Sequence, residues 1–308
     1  MTQTALILAN PTAKRGEAAV RRVIAKLAAS YEAAGWKVIA HCTERNGPRE
    51  RDLVAAHADN VQTIVAIGGD GTVRETVLGM TEAQRERIAI GFVPAGNANV
   101  LAREVGIPVD DEDAAIAIVL GGHKRPMDVG AVDGKPTFLL MLDVGYFAEI
   151  VHAVSAARRR GITRWMYSLG GDVFYTCIGL LKLLTPNRAR VTVTADNQEP
   201  FTATSIAIAN ARVYAKTGAF CPDADPSDGW LNFNAARYWK TLWYALAAMS
   251  GKPSASSSRL GTAKRFTLRA IEKGLLCQVD GDPLAGRRKA LTVGVLHSYF
   301  SLITPTAR

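Results

Sequence analysis

An apolar run near residue 65 ends in three closely spaced glycines. The segment VQTIVAIGGDGT, residues 61–72, passes from β-branched residues into Gly68, Gly69 and Gly71. A strand that leads through such a turn into a helix aims backbone N–H groups and the positive end of the helix dipole at one place. The pattern predicts a phosphate site, although an ordinary tight turn between strand and helix also fits it.

We expect the glycines to provide positive φ angles and close backbone approach, and Thr72 to cap the helix that follows. A second segment of the same design, AIGFVPAGNANVLAREV, contains Gly96 and Asn97. The amide of Asn97 can donate to phosphate. The two loops are therefore predicted to bind anionic oxygens together.

Asp70 is an unusual residue for a loop that only binds phosphate. The Walker A loop needs Gly-Lys-Ser/Thr here, and the dinucleotide fingerprint needs glycine where Arg74 stands, so both common nucleotide motifs fail. A carboxylate beside polyphosphate is repelled unless Mg²⁺ or a transferable proton lies between them. Asp70 therefore favours a site that performs phosphoryl transfer.

Two acidic segments occur in the second half of the chain. CPDADPSDGW, residues 221–230, has the composition of a turn, and acids in surface turns are most often solvated. VDGDP, residues 279–283, contains Asp-Gly, the commonest hairpin signal, followed by Asp282. Taken alone, each segment indicates a turn.

The elements that must position these residues form two patterns. Residues 3–120 alternate short apolar strands with helical segments, which predicts a parallel sheet wrapped by helices. After Pro126, strands separated by Asp-Gly and Asp-Asn turns predict an antiparallel β-sandwich with a helical insertion at 146–184. We expect an α/β nucleotide-binding domain at 1–127, to which 292–308 returns, and a sandwich domain at 128–291.

Composition limits the function classes. The 308 residues carry a net charge of +9, which suggests an anionic partner, although a basic surface also serves solubility. No apolar run reaches the roughly 18 residues of a membrane span, and the N-terminus lacks the features of a signal peptide, so we expect a cytoplasmic protein. The four cysteines and five histidines form no disulfide or zinc pattern. No nucleic-acid recognition motif occurs.

Several segments together resemble a known family. GGDGT with Glu75 three residues later, Asn10-Pro11 with Gly16, and PAGNANVLAR at 94–103 are similar to the diacylglycerol kinase catalytic domain and its bacterial YegS-like lipid kinases. The resemblance implies ATP and Mg²⁺ as cofactors, with ATP in the cleft between an α/β domain and a β-sandwich domain. It implies transfer of the γ-phosphate to a lipid hydroxyl. Diacylglycerol is the first choice, and phosphatidylglycerol, ceramide or a sphingoid base would use the same chemistry.

The resemblance also assigns residues by position. The family has threonine where this chain has Asn97, and its Asp-Gly-Glu, whose glutamate acts as general base, here ends in the shorter Asp282. Asp282 and Asp70 are thus the predicted catalytic residues. Mg²⁺ would be held by the Asp228 side chain and the backbone carbonyls of Asp225 and Trp230. The predicted nucleotide-binding residues are Asn10, Thr43, Gly68, Gly69, Asp70, Gly71, Thr72, Glu75, Gly96 and Asn97.

A lipid kinase must also reach the membrane surface. RRRGITRWMY, residues 158–167, combines arginines with aromatic residues and suits anionic headgroups at the inner membrane face, while YWKTLWY, residues 238–244, is a second aromatic candidate. Ordinary helix faces and core aromatics fit both segments equally. Two rival functions stay open, namely a soluble-substrate kinase of the NAD kinase type and a non-catalytic nucleotide-binding regulator. A homodimer also stays open.

Overall fold

A computed structural model describes residues 2–11, 15–43, 47–159, 190–214, 218–237 and 259–306. By its internal contacts the chain divides into two compact units, residues 1–128 with 297–308, and residues 129–296. Residues 160–167 of the arginine-rich segment and the aromatic segment 238–244 lie outside the described residues. Within the described part of the chain, no helix is long and apolar enough to cross a membrane.

The first unit is built on a parallel sheet in the order β2–β1–β3–β4. The strands β1, β3 and β4 are buried along their whole length, as expected for a parallel sheet covered on both faces. Its elements are β1 (Thr4–Ala9), α1 (Glu17–Ala33), β2 (Lys37–Cys42), α2 (Glu50–His57), a 3₁₀ turn (Ala58–Asn60), β3 (Thr63–Gly68), α3 (Asp70–Gly79), α4 (Glu82–Arg87), β4 (Ala89–Pro94), α5 (Val100–Glu104), α6 (Glu112–Gly121) and β5 (Lys124–Val132).

The four strands of this sheet end nearly level with one another in the parallel register. The residues that follow them, Asn10, Thr43, Gly69 and Ala95, therefore lie along one edge of the sheet. Ligands of open parallel sheets bind outside this carboxyl edge. The predicted α/β class is confirmed, and the register places several predicted nucleotide residues along the edge where ligands of such sheets bind.

The second unit contains two antiparallel sheets. Its elements are β6 (Lys135–Phe138), β7 (Met141–Val144), α7 (Tyr146–Arg159), β8 (Val191–Ala195), β9 (Phe201–Ala203), β10 (Ser205–Ala209), β11 (Val213–Tyr214), β12 (Gly218–Ala219), β13 (Leu231–Ala236), β14 (Arg259–Ala263), β15 (Arg265–Ala270), β16 (Cys277–Val279), β17 (Asp282–Pro283) and β18 (Ala290–Ile303), of which residues 297–303 belong to the first unit. One sheet has the order β14–β13–β10–β7–β16–β17, and in the other β15 lies between β18 and β8. The helix α7 is the described part of the predicted insertion.

The core of the second unit consists of apolar side chains from both sheets. Phe233 of the six-stranded sheet packs edge-on against Phe266 of β15, with ring centroids 5.6 Å apart. Phe138, Phe233 and Phe266 belong to one continuous buried cluster together with aliphatic residues of β7, β8, β10 and β16. Two antiparallel sheets that share such a core form a β-sandwich, which confirms the predicted class of this half.

Candidate functional site

Asp70 connects the two glycine-containing loops of the first unit. It is the first residue of α3, three residues before the start expected from the sequence. Its carboxylate accepts the backbone N–H groups of Val100 at 3.0 Å and Leu101 at 2.8 Å, which are the first two residues of α5. Burial raises the pKa of Asp70, against the opposing effect of these backbone bonds. The acid thus occupies the N-terminus of the helix that follows the second loop.

The glycines of the first loop do not have the backbone conformation expected from the sequence. Gly68, Gly69 and Gly71 all lack positive φ, and Gly69 is extended at φ −101° and ψ −174°, so that expectation was wrong. Close packing is the reason for glycine here, since a Cβ on Gly96 would lie only 2.5 Å from the Cα of Gly69. Gly71 has open space where a side chain would stand. A ligand can therefore approach the backbone of Gly71.

Asn99 stabilises the second loop, whereas the residue selected there from the sequence was Asn97. Asn99 has the left-handed backbone conformation, with φ 48° and ψ 50°. Its side chain accepts the N–H of Gly96 at 2.9 Å and donates to the carbonyl of the same residue at 3.1 Å. Asn97 is exposed, whereas Asn99 is buried. Asparagine tolerates positive φ better than most residues, which is the signal that could have identified it.

Thr72 does not cap α3 as expected, because Gly69 is the N-cap and Thr72 is the third residue of the helix. Its hydroxyl instead forms a hydrogen bond with Glu50, a buried residue at the start of α2. Burial raises the pKa of Glu50, and the nearby charge of Glu75 also raises it. Glu50 could not be selected from the sequence, since acids are common in the first turn of helices.

Three other predicted residues have structural partners within the first unit. The backbone N–H of Asn10 donates to the carbonyl of Ile67 at 2.9 Å, and that of Thr43 donates to the carbonyl of Ala9 at 2.8 Å. Glu75 forms ion pairs with Arg51 of α2 and, at 3.5 Å, with Arg74. Glu75 therefore links α3 to α2. Contact of these residues with a nucleotide stays a prediction.

In the predicted metal loop of the second unit, the aspartate side chains accept hydrogen bonds from nearby residues of the same loop. Asp228 accepts the N–H of Trp230 at 2.8 Å, and Asp225 accepts both the N–H and the hydroxyl of Ser227. Across the described ranges, no group of three or more His, Cys, Asp or Glu side chains converges on a metal position. The predicted site needs only one carboxylate and two carbonyl oxygens, and such hard donors fit Mg²⁺.

The Asp-Gly turn joins β16 to β17 as a two-residue hairpin loop. Asp280 and Gly281 have φ angles of 49° and 87°, which both central positions of a type I′ turn require. The Asp280 carboxylate accepts three successive backbone N–H groups, those of residues 139–141, at 2.9 to 3.1 Å. Asp282 begins β17, and its side chain is exposed. The turn thus holds the backbone of the predicted general base.

Residues 4–132 match the model of the diacylglycerol kinase catalytic domain. This match supports the resemblance that the sequence motifs indicated. A protein of Pseudomonas aeruginosa named probable lipid kinase YegS-like is 29% identical over 296 residues, which cover 95% of this chain and 94% of the relative. The diacylglycerol kinase of Bacillus subtilis is 30% identical over 167 residues, 54% of each chain.

Solved structures of a diacylglycerol kinase and an NAD kinase have similar folds. A diacylglycerol kinase structure from Bacillus anthracis superimposes with a TM-score of 0.74 and 19% identity, over 99% of this chain and 97% of that one. An NAD kinase from Archaeoglobus fulgidus, solved in complex with ATP, gives a TM-score of 0.51 and 10% identity, over 98% and 94%. At these identities the similarity concerns the fold alone.

Proposed function

We propose that this protein is an ATP-dependent lipid kinase that transfers the γ-phosphoryl group to a lipid hydroxyl. The similarity to a probable lipid kinase along nearly the whole length of both chains carries the proposal. The first glycine loop supports it, because α3 begins at the carboxyl edge of the sheet and the backbone of Gly71 is open to a ligand. Phosphate groups bind readily at such helix N-termini.

In this proposal the nucleotide lies along the carboxyl edge of the first unit. The loop from Gly68 to Thr72 binds its phosphates, with Gly96 and Asn97 on the second loop and Asn10 and Thr43 on the neighbouring strand ends. Glu75 supports the loop through its ion pair with Arg51. Asp70 holds the second loop against the first through its bonds to α5, and it is the proposed catalytic acid of this unit.

Asp282 is the proposed general base for the lipid hydroxyl. A general base must come within about 2.6 to 3.2 Å of the oxygen whose proton it removes, directly or through one water. The Asp282 side chain is exposed at the start of β17, so it can accept a proton from a substrate. Because aspartate is one methylene shorter than the family's glutamate, the hydroxyl must bind closer to this turn or through a water.

Mg²⁺ is the proposed metal, with the Asp228 carboxylate and the carbonyls of Asp225 and Trp230 as its protein ligands. When bound, such an ion would hold the oxygens of this turn together. The Asp228 carboxylate already orders its own turn by accepting the N–H of Trp230. We therefore assign this position a mainly structural role.

Diacylglycerol is the first-choice acceptor, and phosphatidylglycerol, ceramide or a sphingoid base is the alternative. The net charge of +9 supports peripheral contact with the anionic inner face of a membrane. The shared fold with NAD kinase keeps a soluble substrate as the second candidate. The replacement of the family's glutamate by Asp282 keeps a non-catalytic regulator as the third.

Incubation with labelled ATP, Mg²⁺ and separate vesicles of each lipid, with NAD as a soluble acceptor, tests the proposal. We expect labelled product with one lipid class and none with NAD. Labelled product with NAD alone would favour the soluble-substrate kinase. Nucleotide binding without any labelled product would favour the regulator.

A further inference from the structure

Two buried polar residues lie opposite each other on neighbouring strands of the six-stranded sheet. Asp143 of β7 is paired in register with Gln278 of β16, and both side chains are almost completely buried. The side-chain amide of Gln278 donates a hydrogen bond from Nε2 to Oδ2 of Asp143. The other neighbour of Asp143 in the sheet is Ala207, which offers no polar side chain.

The second end of the Gln278 side chain reaches the hairpin turn. Its Oε1 accepts the backbone N–H of Gly281 at 2.7 Å. An ionised carboxylate can only accept hydrogen bonds, so Asp143 determines which end of the amide faces it and turns the oxygen toward Gly281. A continuous path of hydrogen bonds thus runs from Asp143 through Gln278 to Gly281, and Asp282 is the next residue.

Asp143 is an unfavourable residue for this position if it only fills space. Burial raises the pKa of its carboxyl group to about 7, and the bond from Gln278 opposes that shift. Its second oxygen, Oδ1, has no hydrogen-bond partner among the described residues. A buried carboxylate with incomplete hydrogen bonding costs stability, and apolar residues commonly replace such groups at no loss.

The turn has two independent anchors. Asp280 bonds the backbone at residues 139–141, at the start of β7, and Gln278 holds Gly281 from within the sheet. With Gly281 released, the Asp280 side chain would still hold one side of the turn, while the Asp280–Gly281 peptide, which carries the Gly281 N–H, could rotate. Gly281 links that peptide to Asp282, so a rotation there changes the direction of the Asp282 side chain.

We propose that Asp143 and Gln278 are positioning residues that fix the Asp280–Gly281 peptide, directly before Asp282, and thereby aim the Asp282 carboxylate. This inference rests on the proposed function, in which Asp282 removes the proton of the lipid hydroxyl. Misplacement of a reacting group by about 1 Å can cost on the order of 100-fold in rate. The pair therefore acts on turnover and leaves nucleotide and lipid binding largely intact.

Gln278→Leu tests the proposal, because leucine has a similar size and removes both hydrogen bonds. We expect kcat to fall about 10- to 100-fold, while KM for ATP and for lipid changes little. Asp143→Asn is the conservative variant, since its carbonyl oxygen still accepts the Gln278 amide, and most of the turnover should be retained. The matched control is Asn232→Leu, which removes another buried amide from the same face of the same sheet. It should keep the wild-type kcat.

Hydrogen exchange at Gly281 provides a readout that is independent of activity. The amide at the tip of an exposed hairpin should exchange slowly in the wild type, because Gln278 accepts its hydrogen, and rapidly in Gln278→Leu. Rapid exchange in the wild type would overturn the proposal, even if Gln278→Leu failed to fold. Wild-type kcat in a folded Gln278→Leu protein would also overturn it. An inactive wild type with a protected Gly281 would instead refute the lipid kinase assignment alone.

Discussion

Replacement of Asp70 separates its structural role from its chemical one. Its two carboxylate oxygens accept the N–H groups of Val100 and Leu101, which are both buried. In Asp70→Asn one oxygen becomes an NH₂ group that faces a backbone donor, so one of the two bonds is lost. In Asp70→Ala both are lost. The fold around the second loop should therefore respond to the change, in addition to any effect on phosphoryl transfer.

The magnitude follows from the number of lost acceptors. A buried donor left without a partner costs about 1–3 kcal/mol. Asp70→Asn should therefore lower the free energy of unfolding by roughly 1–3 kcal/mol, and Asp70→Ala by up to about twice that amount. Removal of a buried charge offsets part of this loss, since burial raises the pKa of Asp70 and so disfavours its ionised form.

Three assays test this prediction. Urea unfolding measures the free energy of unfolding, hydrogen exchange at residues 100 and 101 reports on the two amides, and turnover reports on the chemistry. The matched control is Asp111→Asn, because Asp111 caps α6 at an exposed position and accepts one N–H, that of Ala114. Asparagine caps helices as well as aspartate does, so this control should unfold like the wild type. If Asp70→Asn keeps both amides protected at wild-type stability, the capping role is refuted. If it also keeps wild-type turnover, Asp70 has no part in the chemistry.

Three further predictions concern the second unit. Asp282→Asn should lose on the order of 10² to 10⁴ in turnover with ATP binding retained, as is typical when a general base is removed; Asp282→Glu should keep measurable activity, and equal turnover of all three proteins would exclude Asp282 as the base. Asp228→Ala should lower the melting temperature more in Mg²⁺ than in chelator, and equal shifts would leave only a solvated turn. The raised pKa of Asp143 means that its folded form holds a proton more tightly than its unfolded form, so its contribution to stability falls as pH rises from about 4 to about 7. As the pH rises across that interval, the free energy of unfolding of Asp143→Asn should therefore increase relative to that of the wild type, by at most roughly 4 kcal/mol at 1.4 kcal/mol per pKa unit. If urea titrations instead gave the two proteins the same pH dependence of this free energy, the burial of a charge there would be contradicted.

The sequence was sufficient to predict features that depend on residues adjacent in the chain. The apolar runs predicted β1, β3 and β4 because fully buried parallel strands contain little else. The Asp-Gly pair predicted the hairpin at 280–281, since few other residues adopt positive φ at both positions. These elements are determined locally, and the structure has them where the sequence placed them.

Side-chain partners distant in sequence could not be predicted in this way. Asp70 bonds to residues 30 and 31 positions later, and Gln278 bonds to a residue 135 positions earlier. Neither pairing leaves a periodic or compositional signal in one sequence. The glycine conformations were wrong for a related reason, because the close approach of Gly69 and Gly96 exists only after both loops have folded.

The bond from Asp70 to α5 has a consequence for protein engineering. Residues 68–72 look like a self-contained cassette that could be transplanted into another α/β scaffold. Without a second helix whose first N–H groups meet the Asp70 carboxylate, the transplanted acid would be a buried charge that lacks two of its backbone hydrogen-bond donors. A graft should therefore carry residues 94–101 together with residues 68–72, as one part made of two separate pieces of chain.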